Sequence, residues 1–355
     1  MFILNDLLNL VVDNDASDLH LTVGTPPVIR VDGDLIATDL DVLTPMDTRS
    51  LVYNMLTAEQ QKEFEEKCEL DISYSVHGFG RFRVNIYRQR GCIGAAFRVI
   101  PSKIPSLDEL KLPPKVADFA RLPKGLVLFT GPTGSGKSTS LAALINLINQ
   151  EQRVHIMTIE DPIEYLHYHK KSIINQRELH VDTMSFAESL RHVLRQDPDV
   201  VLIGEMRDLE TVESGLTLAE TGHLVFATLH TTDAPQTINR IIDIFPPYQQ
   251  QQIRTQLSFV IQGVVAQQLL PLASGKGRIP AIEILTLTSA VQNLIREQKI
   301  HQLYTVMQTC QNVGMQTFEQ SLAGLFFKGL ITMEEAISRT LYPEELQRML
   351  KARTM

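Results

Sequence analysis

Residues 126–139 constrain this chain more than any other stretch. They read Leu126-Val-Leu-Phe-Thr130 and then Gly131-Pro-Thr-Gly-Ser-Gly-Lys-Ser-Thr139. The first five form a continuous run suited to a strand buried on both faces. The next nine fit G-x-x-x-x-G-K-[ST], and helical patterning follows from Thr139 to Asn149. A strand, a glycine turn and a helix in that order build a phosphate cradle. Gly131, Gly134 and Gly136 let the backbone turn its amides inward, and Pro132, Thr133 and Ser135 fill the turn. The helix N-terminus adds a dipole that favours anions. Lys137 is placed to reach the β- and γ-phosphates, Ser138 offers a hydroxyl to magnesium, and Thr139 completes the loop. The pattern asks for ATP with Mg2+.

Three more short apolar runs follow: His155-Ile-Met-Thr-Ile159, Val200-Val-Leu-Ile-Gly204 and Leu224-Val-Phe-Ala-Thr228. Separated by helical stretches, they predict a parallel sheet covered on both faces. Ligands of such sheets bind at the C-terminal ends of the strands. Glu205 stands at one such end. It either holds magnesium or its water shell, or simply favours the start of the next helix. Glu160-Asp-Pro-Ile-Glu164 stands at another. Acids this close to a triphosphate repel it unless a metal or an attacking water intervenes, so Glu164 is the candidate for polarising that water. Glu160 and Asp161 are candidates for positioning the loop. His223 and His230 flank the last run at opposite ends. No third ligand stands near for a metal site, so hydrogen bonding is expected, with His230 sensing the γ-phosphate.

The 355 residues are 44% apolar, enough for two domains with separate cores. Residues 1–100 read as a small α+β domain. Met1–Asn14 and Thr44–Lys67 have helical spacing, and strands run through His20–Val23, Val28–Ile36 with a turn at Asp32-Gly33-Asp34, Leu70–Val76, Gly80–Tyr87 and Gly94–Ile100. Arg81, Arg83 and Asn85 alternate with Phe82, Val84 and Ile86, which puts arginines on one face of a strand. Proline-rich residues 101–124 read as a linker with a short helix around Leu107–Leu112. Residues 125–355 form the nucleotide-binding domain, mostly helical after Asp233 and in its last part, from about 270 onward.

Some classes are disfavoured. No run approaches the roughly 18–20 apolar residues of a membrane span, and the start lacks the basic region of a signal peptide, so a cytosolic chain is expected. Three scattered cysteines suggest neither zinc nor disulfides. A net charge of −8 and the absence of tryptophan argue against a nucleic-acid translocase, the rival class that shares these loops. A non-hydrolytic ATP-dependent scaffold is a further alternative.

The motifs come in a recognisable order. After the glycine loop come Thr158-Ile-Glu-Asp-Pro-Ile-Glu-Tyr165, Asn175-Gln-Arg-Glu178, Leu194-Arg-Gln-Asp-Pro-Asp199, Gly204-Glu-Met-Arg-Asp208 and Ala219–Thr232. This order resembles the secretion ATPase superfamily that drives type II secretion and type IV pili. Within it the chain is most similar to the twitching-motility retraction branch. It lacks the extra N-terminal domain and tetracysteine motif of the assembly enzymes. Ala290-Val-Gln-Asn-Leu-Ile-Arg-Glu297 resembles that branch's signature, with Val291 and Gln292 replacing Ile and Arg, and Gly314-Met-Gln-Thr-Phe318 also fits.

The resemblance implies a RecA-like core with a mainly parallel sheet, preceded by a small α+β (PAS-like) domain and followed by C-terminal helices. It implies a homo-hexamer at the inner face of the inner membrane that hydrolyses ATP and drives pilus retraction through an inner-membrane platform protein. Alternatives are an accessory retraction ATPase working beside a paralogue, or an assembly or type II secretion ATPase. In a ring, Arg81, Arg83 and Arg98 become candidates for phosphate sensing; the other reading of them is a solvated face in ion pairs. Arg195 and Arg207 are expected near the nucleotide.

Overall fold

A computed structural model describes residues 2–31, 33–76, 80–101 and 103–352. Met1 and Asp32, expected in the first helix and a turn, lie outside them, as does Ser102 of the expected linker. Contacts divide the chain into Met1–Lys103 with Glu164–Leu166, and Ile104–Ile163 with His167–Met355.

The first unit holds an antiparallel sheet. Its strands are β1 (Asp18–Leu21), β2 (Val28–Val31), β3 (Asp34–Ala37), β4 (Glu69–Val76), β5 (Gly80–Gln89) and β6 (Cys92–Ile100), in the order β3-β2-β1-β6-β5-β4. The alternation in β5 holds: Phe82, Val84 and Ile86 are fully buried with Leu8, Phe64 and Phe97, while Arg83 is exposed. The helix expected over Thr44–Lys67 is two helices, Pro45–Tyr53 and Ala58–Lys67. Each begins with a reciprocal cap, Thr44 with Asp47 and Thr57 with Gln60. The second cap starts a new helix where the spacing alone suggested continuation.

The second unit holds β7 (Gly125–Thr130), β8 (His155–Glu160), β9 (Ile173–Glu178), β10 (Val200–Ile203), β11 (Leu224–Thr228), β12 (Ile261–Pro271) and β13 (Arg278–Thr286). Their order is β13-β12-β7-β11-β10-β8-β9, parallel throughout except for the β12–β13 pair. Strands β7, β10 and β11 are buried at every residue. Alternate residues of β7 serve two cores. Leu126 and Leu128 pack with Leu216 and Ile238, whereas Val127 and Phe129 pack with Leu141 and Leu144. That is the two-faced burial the apolar runs predicted.

Three expectations need correction. The region after Asp233 is not simply helical, because β12 and β13 extend the sheet there before the helices from Ser289 onward. The glutamines of β12 masked its strand character. Leu107–Leu112 forms turns, ended by Lys111 at a left-handed φ of 56°. The short helix is Pro114–Asp118 instead, opened by a proline suited to a first turn. Val116 and Phe119 then enter the second unit's core, so this segment packs as part of that unit.

Glu283 on β13 is 3% exposed and accepts the Ala234 amide at 2.7 Å. Burial, helped by nearby Asp233 and Glu319 and only partly opposed by the amide of Ala234, pushes its carboxyl up to about 8 from 4.5. Between those values the unfolded chain releases the proton that the folded chain keeps. Stability from this group is therefore full below pH 4.5 and falls as pH rises towards 8. Thermal unfolding across this range should show Glu283→Gln flattening the fall, whatever its effect on absolute Tm. A parent and variant with parallel curves would contradict this account.

Candidate active site

The C-terminal ends of β7, β11, β10 and β8 lie side by side. Thr130 ends β7, and the helix Lys137–Glu151 begins after the loop. Gly131 and Gly136 have φ of 139° and 87°. A Cβ on Gly131 would lie 2.2 Å from the Gln267 carbonyl oxygen, and one on Gly136 would lie 2.7 Å from Gln267 Nε2. Both positions thus need glycine for conformation and for space. Lys137 is buried, and its Nζ donates to the carbonyls of Gly131 at 2.7 Å and Pro132 at 3.1 Å. The loop's own carbonyls hold the ammonium beside the cradle. Among the described residues, Ser135 Oγ is buried with no hydrogen-bond partner. An orphaned hydroxyl inside an amide-rich turn fits an oxyanion such as a phosphate.

Gln267 braces this loop from β12. Its Nε2 donates to the Ser135 carbonyl at 2.7 Å, and its Oε1 accepts from Ser140 Oγ at 2.8 Å. Thr130 Oγ1 donates to the Thr231 carbonyl at 2.5 Å, and Thr231 Oγ1 meets Thr237 Oγ1 at 2.7 Å. Neither brace was foreseen. Ala266-Gln-Gln-Leu269 carried no motif signal beyond its glutamines, and threonine hydroxyls at strand ends have no period to read.

At the end of β10, Glu205 lies 2.5 Å from Arg207 Nε and 3.0 Å from His230 Nε2. Partial burial opposes ionisation, but hydrogen bonds from Arg207 and His230 outweigh it and hold the carboxyl below its usual range. Two sites named separately from sequence, Glu205 and His230, are thus brought together, with Arg207 as a third partner. His223 stays at the opposite end of β11, bonded to the Leu218 carbonyl. Arg195 departs from expectation. It follows the helix Phe186–Val193 on the turn that enters β10, at the edge opposite Glu205.

The loop after β8 carries Glu164, which is exposed. Glu160 Oε1 accepts from Thr158 Oγ1 at 2.7 Å and from Gln176 Nε2 at 3.1 Å. The Ile163 amide donates to Glu178 Oε2 at 3.0 Å, and the His167 amide to Gln176 Oε1 at 2.8 Å. In the first unit, Arg83 and Arg98 are register partners on β5 and β6. Arg98 Nε lies 2.9 Å from Asp18 Oδ1, so this arginine is in an ion pair.

A glycine cradle on a parallel sheet, with acids at neighbouring strand ends, defines a P-loop nucleotide-binding protein. The sequence profile of the type II/IV secretion system protein family matches residues 2–338, and the chain belongs to that family. It is 48% identical over 341 residues to the type IV pilus retraction ATPase PilT of Pseudomonas aeruginosa, covering 96% of this chain and 99% of the relative. The type IV pilus ATPase PilU of the same organism is 43% identical over 345 residues, covering 97% of this chain and 90% of that one. A crystal structure of the pilus retraction motor PilT with bound ADP superposes with a TM-score of 0.92 at 50% identity, covering 98% of this chain and 99% of the other.

The glycine geometry sets a test. Alanine at Gly136 must occupy a left-handed position and displace Gln267. Such a residue costs roughly 1–2 kcal/mol of folding stability. Denaturant unfolding should show Gly136→Ala destabilised by about that amount; unchanged stability would refute the fit.

Proposed function

We propose that this chain is an ATP-hydrolysing motor that powers type IV pilus retraction. The observation that carries the reading is the full-length likeness to a pilus retraction motor with bound ADP. The cradle supports it in chemical terms, since its buried orphan hydroxyl and inward loop suit phosphate.

In this reading the amides from Gly131 to Thr139 grip the phosphates of ATP. Lys137 leaves the Gly131 and Pro132 carbonyls for the β- and γ-phosphate oxygens, which neutralise its charge better than neutral carbonyls do. Ser138 and, through water, Glu205 are the residues that would hold Mg2+, which when bound neutralises phosphate charge. Glu164 takes the proton of the attacking water. His230, bonded to Glu205, senses the γ-phosphate. Arg81, Arg83 and Arg98 act as phosphate-sensing arginines, for which Arg98 exchanges Asp18 for phosphate. Release of phosphate removes the charge that held the closed state, and the subunit opens.

The working form in this proposal is a homo-hexamer at the inner face of the inner membrane. It turns or shifts an inner-membrane platform protein and so returns pilins to the membrane. Among the described residues no helix is long and apolar enough to cross a membrane. A second reading, an accessory retraction ATPase beside a paralogue, is favoured by Gln292 in the signature and by the PilU likeness.

Phosphate-release assays should find no steady-state turnover in Lys137→Ala or Glu164→Gln. Parental release from both would end the site assignment. Deleting the gene in its host should leave cells with excess pili and no surface motility. Bald cells would reassign the motor to pilus assembly.

A further inference from the structure

The chain leaves β8 at Glu160 and rejoins the sheet only at Ile173. Residues 161–172 contain no helix or strand. Their amides therefore need partners other than a ladder, and a loop without them samples many positions. Two partners come from β9. Gln176 and Glu178 lie two apart and so share one face of that strand. They sit in register beside Thr158 and Glu160 of β8.

We infer that Gln176 and Glu178 are positioning residues that set where Glu164 stands; the inference rests on the proposed role of Glu164. Glu178 is 3% exposed, and its Oε2 takes the Ile163 amide. Gln176 uses both ends of its amide. Its Oε1 takes the His167 amide, and its Nε2 donates to Glu160. Glu160 is held again by its carbonyl, which accepts the Leu179 amide at 2.8 Å. Glu178 is itself fixed, because its backbone amide donates to Asp182 Oδ2 at 2.8 Å. The chain is thus tied down immediately before Glu164 and again three residues after it. A base that must meet one proton of one water gains from such fixing, because misplacement by about 1 Å can cost about 100-fold in rate. Gln267 does the corresponding work for the phosphate loop, so nucleotide affinity and turnover depend on different braces.

The test uses full-length Gln176→Ala, Glu178→Ala, Glu178→Gln and, beside them, Glu164→Gln. Steady-state hydrolysis, affinity for a fluorescent ADP analogue and amide hydrogen exchange are measured. The alanine variants should lose on the order of 10- to 100-fold in kcat while ADP affinity stays within about twofold. Glu178→Gln should recover most of the rate, because its amide oxygen still accepts from Ile163. Exchange at the Ile163 amide should speed up in Glu178→Ala, and at the His167 amide in Gln176→Ala. Should Glu178→Ala fail to fold, Gln176→Ala and Glu178→Gln carry the measurement. Parental kcat in the alanine variants overturns the inference. So does a parallel loss of kcat and ADP affinity, which marks a merely structural role, and so does unchanged protection of both amides. Turnover by Glu164→Gln tests the role of Glu164 separately, because amide protection reports the clamp whether or not Glu164 is the base.

Discussion

A backbone can grip a phosphate only if several successive amides face one point. L-residues resist the left-handed angles such a turn needs. The loop from Gly131 to Gly136 meets the requirement with glycine where φ reaches 139° and 87°. Space matters as much as conformation, since the Gln267 carbonyl approaches Gly131 more closely than any Cβ would permit. Everything else about the site follows from keeping this turn open and still. The strand before it is buried at all its residues, the helix after it is buried at every residue from 140 to 145, and Gln267 ties the turn to β12.

The same edge of the sheet is cross-linked from strand to strand. Thr130 bonds to Thr231 beyond β11, Thr228 Oγ1 donates to the Gly204 carbonyl at 2.5 Å, and the Gly204 amide donates to the Ile159 carbonyl at 2.8 Å. Parallel order makes this possible, because it brings the ends of β7, β11, β10 and β8 to one edge. Glu205 and His230 meet there although 25 positions apart in sequence. Threonine suits these junctions. Its branched side chain favours a strand, and its hydroxyl can bond a carbonyl just beyond it. The strands thereby place each loop relative to its neighbours before any ligand arrives.

The legible parts of the sequence were those with a strong local signal. Apolar runs marked β7, β8, β10 and β11, and the glycine loop stood out by its residue types alone. The period of two in β5 correctly buried Phe82, Val84 and Ile86. What stayed hidden was polar and long-range. Strand β9 reads Ile-Ile-Asn-Gln-Arg-Glu, and β12 carries three glutamines, so neither has the apolar continuity of a core strand. Their polar side chains are there to hold neighbouring loops, and that use cancels the hydrophobic signal by which a strand is found. Arg195, expected near the nucleotide, lies instead where the chain enters β10, before the strand and not beyond it.

Glu283 extends the edge towards the C-terminal helices. Its carboxyl takes the amide of Ala234, the first residue of the helix that follows the His230–Asp233 loop. That buried side chain on β13 therefore ties the sheet to the start of the helix that leaves the nucleotide edge. A charged carboxylate in this place would lie near Asp233 and Glu319 and would be costly to bury. The raised pKa is how the site avoids that cost, since the group keeps its proton and still accepts the Ala234 amide. A hydrophobic residue could fill the same volume but would leave that amide without this acceptor. The polar group is needed here because the junction is made through a backbone amide, and only an acceptor can close it.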